Sequence, residues 1–440
     1  MSFANVLYKS FYWRAIQTGS SFALNILLAR MLQSAGSAEF YSLLYWSGLV
    51  TSFFTFGLDI GLNYFVTRGQ LSISAARRII LGITALALIA GTGLLFALHS
   101  WIPHSGLSLG TMLFFVVCQI AGILLSTLAG TVFTAVGRNH EPVRLAAYGN
   151  VGLILLAVAD YCFFAGGQAL QQLYILYGLV SLFQGLLVVT LMNRLPAVTH
   201  TPKDGPVGTV YLLRFSFFLF VVNFLFFIGA RIGIYLLPYN TSPAALGNYI
   251  QVYKLVEYLG LGTSFLYFPF VTLAAGDDGH GSQKKVLLLV RLSNTLVLVV
   301  CSLGAALGYF LFPAIFGPSY GAMYPVFLAF IPGIFGLCSS SFFTAWFFGT
   351  GHIRYNFISA LVQLVTALSL FFVLTPHWGI QGAALAYSAG AVASFVYDAA
   401  GFSRFCRVRP REMLLITPAD LQLLWNFSAK LLKTSGGSAR

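Results

Sequence analysis

Residues 110–136 read GTMLFFVVCQIAGILLSTLAGTVFTAV, and none of them is charged. As an α-helix such a run is long enough to cross the hydrocarbon of a bilayer, for which about 20 apolar residues suffice. The rest of the chain repeats the pattern. Only 8% of the 440 residues are charged while 58% are apolar, and 42 are Phe. That leaves too little polar surface to cover a water-soluble protein of this size, so a soluble enzyme is excluded. The net charge of +13 accompanies no nucleic-acid-binding motif or compact basic stripe, and nucleic acid is not an expected partner. The five cysteines (118, 162, 301, 338, 406) form no C-x-x-C pair, so neither a disulfide framework nor a metal site is expected.

Similar apolar runs fall near 8–32, 40–66, 79–101, 145–166, 170–192, 210–238, 246–274, 286–313, 321–349, 354–374 and 378–402, which with 110–136 makes about twelve crossings. Loops at 33–39, 102–109, 167–169, 239–245, 314–320 and 375–377 contain no Lys or Arg. The alternate loops hold Arg68, Arg77, Arg78, Arg138, Arg144, Arg194, Lys203, Lys284, Lys285 and Arg354, and the tail adds Arg404, Arg407, Arg409 and Arg411. Positive loops mark the cytoplasmic side, so both termini are expected there. Residues 1–14 run into the first helix without a small-residue cleavage site, and no cleaved signal is expected.

The expected fold is an all-α polytopic membrane protein with two six-helix halves. The halves are 1–194 and 210–402, and the Pro- and Gly-rich stretch 195–209 links them on the cytoplasmic side. The basic tail 403–440 carries Thr417-Pro418, an N-cap followed by proline at the first helical position, ahead of an amphipathic helix. Gly317-Pro318-Ser319-Tyr320-Gly321 fits the nucleophile pattern G-x-S-x-G, but between two membrane helices it reads as a turn.

Polar residues inside the spans carry the functional signal, because an ionisable group in hydrocarbon is costly unless it faces a cavity or a partner. Arg14, Thr18, Ser21 and Asn25 recur at helical spacing on one face of the first span, and Ser52, Thr55, Asp59 and Asn63 repeat the device in the second. Arg30 lies toward the outer end of the first span. Arg231 in the seventh and Lys254 and Glu257 in the eighth fall at similar depth, and Lys254 and Glu257, at i and i+3, can pair. Four cations against Asp59 and Glu257 leave an excess of positive charge suited to an anion. Arg231 is the principal candidate for contact with it, and Asp59 and Glu257 are candidates for H+ or Na+ coupling. No cofactor is expected. Asp160 and Asp398 read as interfacial or capping residues.

Several stretches carry a resemblance: Asn25 to Arg30 leading to Phe40-Tyr41; Phe56-Gly57-Leu58 with Tyr64 to Arg68; Leu246-Gly247-Asn248-Tyr249 with Lys254; Phe316 to Tyr320; and Pro376 to Ala384. In these the chain resembles the polysaccharide-transporter (Wzx-type) branch of the multidrug/oligosaccharidyl-lipid/polysaccharide (MOP) flippase superfamily. The resemblance implies two six-helix pseudo-symmetric bundles around a central cavity, alternating access, and a flippase that carries undecaprenyl-diphosphate-linked oligosaccharide across the bacterial inner membrane for surface polysaccharide assembly. Lipid-linked oligosaccharide, membrane lipids and polysaccharide assembly proteins are the partners it implies. A drug exporter of the same superfamily would favour a carboxylate in the first span, where this chain has arginine. A polysaccharide polymerase would need a large outer loop bearing Arg or His.

Overall fold

The computed structural model describes residues 3–98, 107–163, 169–196, 208–274, 280–413, 415, 417 and 420. The described residues are helical apart from turns and short connections. The helices are α1 (Phe3–Thr55), α2 (Leu58–Thr67), α3 (Ile73–Ala97), α4 (Leu109–Ala135), α5 (His140–Phe163), α6 (Ala169–Leu191), α7 (Thr209–Leu236), α8 (Pro243–Ala274), α9 (His280–Phe316), α10 (Met323–Gly349) and α11 (Ile353–Cys406). By length and composition eight of the described helices suit a membrane crossing, or nine if α1 and α2 form one bent span. The protein is thus an all-α, multi-pass membrane protein.

Two helices are too long for one crossing. At 1.5 Å per residue, the 53 residues of α1 and the 54 of α11 would each reach about 80 Å if straight. Each is divided by one residue of positive φ, Gln33 in α1 (57°) and Gly379 in α11 (53°). Side chains show that the chain doubles back at both. Tyr41 donates to Asn25, only 16 residues earlier, and the Ser359 and Ser394 hydroxyls, 35 residues apart, are 2.7 Å from each other. A straight helix would hold either pair more than 20 Å apart. The expected outer loops 33–39 and 375–377 therefore shrink to sharp reversals, because one positive φ is enough to redirect a helix. The expected span 40–66 is also bent, by 44°, where Phe56 (φ 49°) and Gly57 (φ 67°) separate α1 from α2.

Divided at these reversals, the helices make two packed groups. α4 is the centre of the first, against α6, α3, α2 and α1. α10 is the centre of the second, against α11, α9 and α8. The groups meet along two seams, α1 with α8, and α2 together with the adjoining part of α1 with α7. Gly317-Pro318-Ser319-Tyr320 makes the turn between α9 and α10, as its setting suggested.

The tail returns to the second group. Arg291 of α9 holds both Asp420 carboxylate oxygens at 3.0–3.1 Å, and Asn294 donates to the Met413 carbonyl at 3.2 Å. Thr417 and Asp420 bond reciprocally, Thr417 donating through its backbone NH and its hydroxyl and Asp420 through its backbone NH. Burial raises the Asp420 carboxyl, but the hydrogen bonds from Thr417 and Arg291 outweigh it and hold it below its ordinary value. The amphipathic helix expected beyond residue 420 lies outside the described residues, as does the linker at 197–207.

Candidate functional site

A cavity of about 450 Å³ lies where the two groups meet. The first group gives it a neutral polar wall: Tyr41 and Tyr45 of α1, Gln119, Ser126 and Thr127 of α4, Asn150 of α5, and Tyr177, Ser181 and Gln184 of α6. All of its charge comes from the second group, Arg231 of α7 and Lys254 and Glu257 of α8. Only there do the expected site residues converge.

Glu257 is fully engaged. Its Oε1 lies 2.6 Å from Arg231 Nη2, and its Oε2 accepts from the Tyr45 hydroxyl at 2.9 Å. The Arg231 guanidinium also stacks 4.1 Å from the centre of the Phe227 ring, while its Nε is buried without a hydrogen-bond partner. The i, i+3 pairing open to Lys254 and Glu257 is not formed, because α7 and α1 already satisfy the carboxylate. Lys254 sits instead on the face of Tyr41, its Nζ 3.6 Å from the ring centre. Among the described residues no carboxylate pairs with it. The cavity therefore contains two cations and one carboxylate, and the unmatched cation is Lys254 rather than Arg231. The excess is one charge, smaller than the two read from the sequence.

The α1 stripe is placed differently from the expectation. Arg14, Thr18, Ser21 and Asn25 do not line the cavity. Asn25 is buried behind it, accepting from Tyr41 at 2.8 Å and donating to Gln251 of α8 at 3.0 Å. It thereby holds the ring on which Lys254 rests. The Ser21 carbonyl accepts from Tyr258, and α5 reaches the same helix through Asn150, which bonds the Gln17 carbonyl and the Ser20 hydroxyl. Asn25 is thus an α1–α8 contact, and α1 meets α5 through the neighbouring Gln17 and Ser20. Arg30 is exposed near the end of the first half of α1, donating to the Ala314 and Ile315 carbonyls (2.7 Å to Ile315). These carbonyls end α9, where helix geometry leaves acceptors unpaired and the dipole favours a cation. Arg30 is a cap, not a cavity residue.

Asp59 lies in the first turn of α2, also outside the lining, where the helix restarts after Gly57 and a carboxylate faces the favourable end of the dipole. Asp160 belongs to α5, but its side chain is outside the described residues. Asp398, expected at an interface, is completely buried. The sequence reading missed the α6 contribution, although Tyr177, Ser181 and Gln184, spaced by four and three, carry the same signal as the α1 stripe.

The end of the cavity that the Lys- and Arg-free loops mark as outer is closed. The Ser34 backbone NH donates to Ser319 at 3.2 Å, Tyr320 and Ser37 share a 2.7 Å hydrogen bond, and Asn248 donates to the Ser319 carbonyl at 3.2 Å. A Cβ on Gly247 would collide with the Ser34 carbonyl, so the two chains can approach this closely only at glycine.

No family model matches the chain, and no curated protein sequence does. Solved structures do. An inward-facing multidrug resistance MATE family transporter of the MOP superfamily aligns with a TM-score of 0.67 at 12% identity, covering 89% of this chain and 96% of that one. The lipid II flippase MurJ, in an inward closed conformation, aligns at 0.64 and 13%, covering 97% and 93%. The fold is that of the MOP superfamily. A MOP superfamily transporter from Pyrococcus furiosus, described as having a binding pocket of reverse polarity, aligns at 0.63 and 12%, over 91% and 95%. At such identities the MOP likeness establishes architecture, including the two-bundle arrangement, and leaves the cargo to be argued from the cavity.

Proposed function

We propose that this protein is a flippase that moves an undecaprenyl-diphosphate-linked oligosaccharide from the cytoplasmic to the outer leaflet of a bacterial cytoplasmic membrane, by alternating access, for surface polysaccharide assembly. The observation that carries this reading is Lys254: a cation facing the central cavity with no carboxylate partner among the described residues, beside a Glu257 carboxylate already engaged by Arg231 and Tyr45. A buried cation in this position favours an anionic ligand, and a diphosphate supplies one. The neutral amides, hydroxyls and tyrosines of the opposite wall suit sugars, which bind through hydrogen bonds and ring faces. The prenyl chain needs no cavity, since it stays in lipid while the headgroup crosses.

In this reading each of the twelve helical rods, with α1 and α11 counted as two and α2 joined to α1, is one crossing. Residues 1–194 and 210–402 are the moving halves, 195–209 links them, and both termini and the tail 403–440 are cytoplasmic. No covalent step is required. The closed outer end supports loading from the cytoplasmic side. An exporter of cationic drugs would need an available carboxylate in the cavity, and the one present is engaged by Arg231 and Tyr45.

The test is reconstitution. Proteoliposomes containing the purified protein should expose a fluorescent lipid-diphosphate oligosaccharide to an outer-leaflet quencher faster than protein-free vesicles do. Equal rates with and without protein would reject the reading.

A further inference from the structure

A second cavity, of about 820 Å³, lies in the first helix group between the start of α3 and the end of α6. One wall carries Arg77, Arg78 and Leu81 of α3, and the other Met192, Asn193 and Leu195, where α6 runs out. None of these residues takes part in the central cavity.

The charge in this cavity is all positive. Arg77 reaches from α3 to the other wall, donating through Nη1 to the Asn193 side-chain oxygen at 2.9 Å, which fixes its guanidinium between the two helices. Its Nε is cut off from water yet has no hydrogen-bond partner. Arg78 is exposed beside it, and among the described residues no carboxylate pairs with either. Arg68, next to the lining residue Gly69, and Arg194, next to Asn193, add to the same field. A positioned guanidinium with free N–H donors and no counter-charge favours a phosphate, whose oxygens it can meet in pairs.

The remaining lining is largely apolar. Leu71, Ile73, Met192 and Leu195 adjoin the arginines, and Leu81, 42% exposed, leads out of the cavity. Beyond it the surface of α3 stays apolar and uncovered through Leu86, Ile89 and Phe96. An inorganic anion would leave this surface unused, whereas a lipid with a charged headgroup matches both parts. Arg77 and Arg78 also belong to the Lys- and Arg-bearing segments that mark the cytoplasmic side, where basic pockets between membrane helices attract anionic lipid.

We infer that this cavity binds a phospholipid with an anionic headgroup, its phosphate on Arg77 and Arg78 and its acyl chains along α3 from Leu81. The site stands independently of what the central cavity carries. Because Leu195 opens the stretch that connects the two helix groups, a lipid held here ties the start of that connection to the bilayer surface.

Thermal unfolding of the delipidated full-length protein in neutral detergent tests this, with phosphatidylglycerol titrated against phosphatidylcholine of the same chains and against inorganic phosphate. A ligand bound only by the folded state raises the melting temperature saturably. Phosphatidylglycerol should do so well below the concentration at which either comparison ligand acts. The Arg77→Gln, Arg78→Gln double variant should fold and shift half-saturation about tenfold or more, as expected for lost charged hydrogen bonds. Arg354→Gln, Arg404→Gln, which removes the same charge elsewhere, should respond like the wild type. No preference for phosphatidylglycerol over phosphatidylcholine overturns the site, and so does inorganic phosphate acting equally well. An unchanged response in the Arg77, Arg78 variant, or an equal loss in the Arg354, Arg404 variant, also overturns it. If the double variant does not fold, Arg78→Gln alone decides, and an unchanged response in it overturns the site.

Discussion

The two seams between the helix groups are built from different chemistry. Along α1 and α8 the contacts are polar: Asn25 with Gln251, Tyr258 with the Ser21 carbonyl, and, at the end nearest the α9–α10 turn, Ser34, Ser37 and Asn248 with Ser319 and Tyr320. Along α2 and α7 they are close-packed and dry. Gly57 and Gly61 press on Ser216, Phe56 stacks on Phe220 at 5.0 Å and Tyr64 on Phe215 at 5.1 Å. A hydrogen bond that water can replace contributes only about 0.5–1.5 kcal/mol net, whereas aromatic and backbone packing has no substitute in water. The polar seam is therefore the one suited to part and admit water, and the dry seam is suited to stay shut and act as a pivot.

The largest effect that would test this contrast is at Gly57. It has a φ of 67°, and any side chain there would run into the Ser216 carbonyl. Gly57→Val should lower stability by about 2–4 kcal/mol, from strain and overpacking together, seen as a sharp fall in melting temperature or in the yield of folded protein. Wild-type stability in this variant would mean that the seam is looser than described.

At Gly247 a smaller and different effect is expected. The added methyl of Gly247→Ala meets the Ser34 backbone across the polar seam, so the protein should fold but favour a conformation open at that end. In a background without the native cysteines, Ser319→Cys should then react faster with a membrane-impermeant maleimide added from outside. If Gly57→Val and Gly247→Ala both destabilise and neither alters labelling, the seams are not functionally distinct.

Arg30→Ala should have the least effect. Losing the cap on α9 should cost about 0.5–2 kcal/mol of stability, with the rate of transport per folded molecule unchanged. A transport defect at normal stability would return Arg30 to the cavity.

The long apolar helices were legible in the sequence because a charge-free run such as 110–136 has few alternatives. The reversals were not: Gln33 gives no turn signal, and the loop expected at 33–39 is longer than the reversal that exists. Arg231, Lys254 and Glu257 were legible as a charged cluster at one depth. Their pairing was not, because i, i+3 spacing shows which residues of α8 can meet but cannot show that Tyr45 and Arg231, from α1 and α7, reach Glu257 first. The α1 stripe misled for a related reason. Helical spacing establishes a shared face, but the same polar face serves a hydrogen-bonded helix contact as well as a water-filled wall, and Asn25 belongs to the contact.

The claim that the cavity holds an anionic headgroup through an unmatched cation rests most directly on Lys254. The decisive measurement is the initial rate of lipid-diphosphate oligosaccharide flipping in proteoliposomes for Lys254→Gln, at matched protein incorporation and with folding checked by melting temperature. A charged hydrogen bond worth about 1.5–3 kcal/mol corresponds to a loss of roughly tenfold or more, and that is the expected result. A Lys254→Gln protein that flips at the wild-type rate would contradict the account.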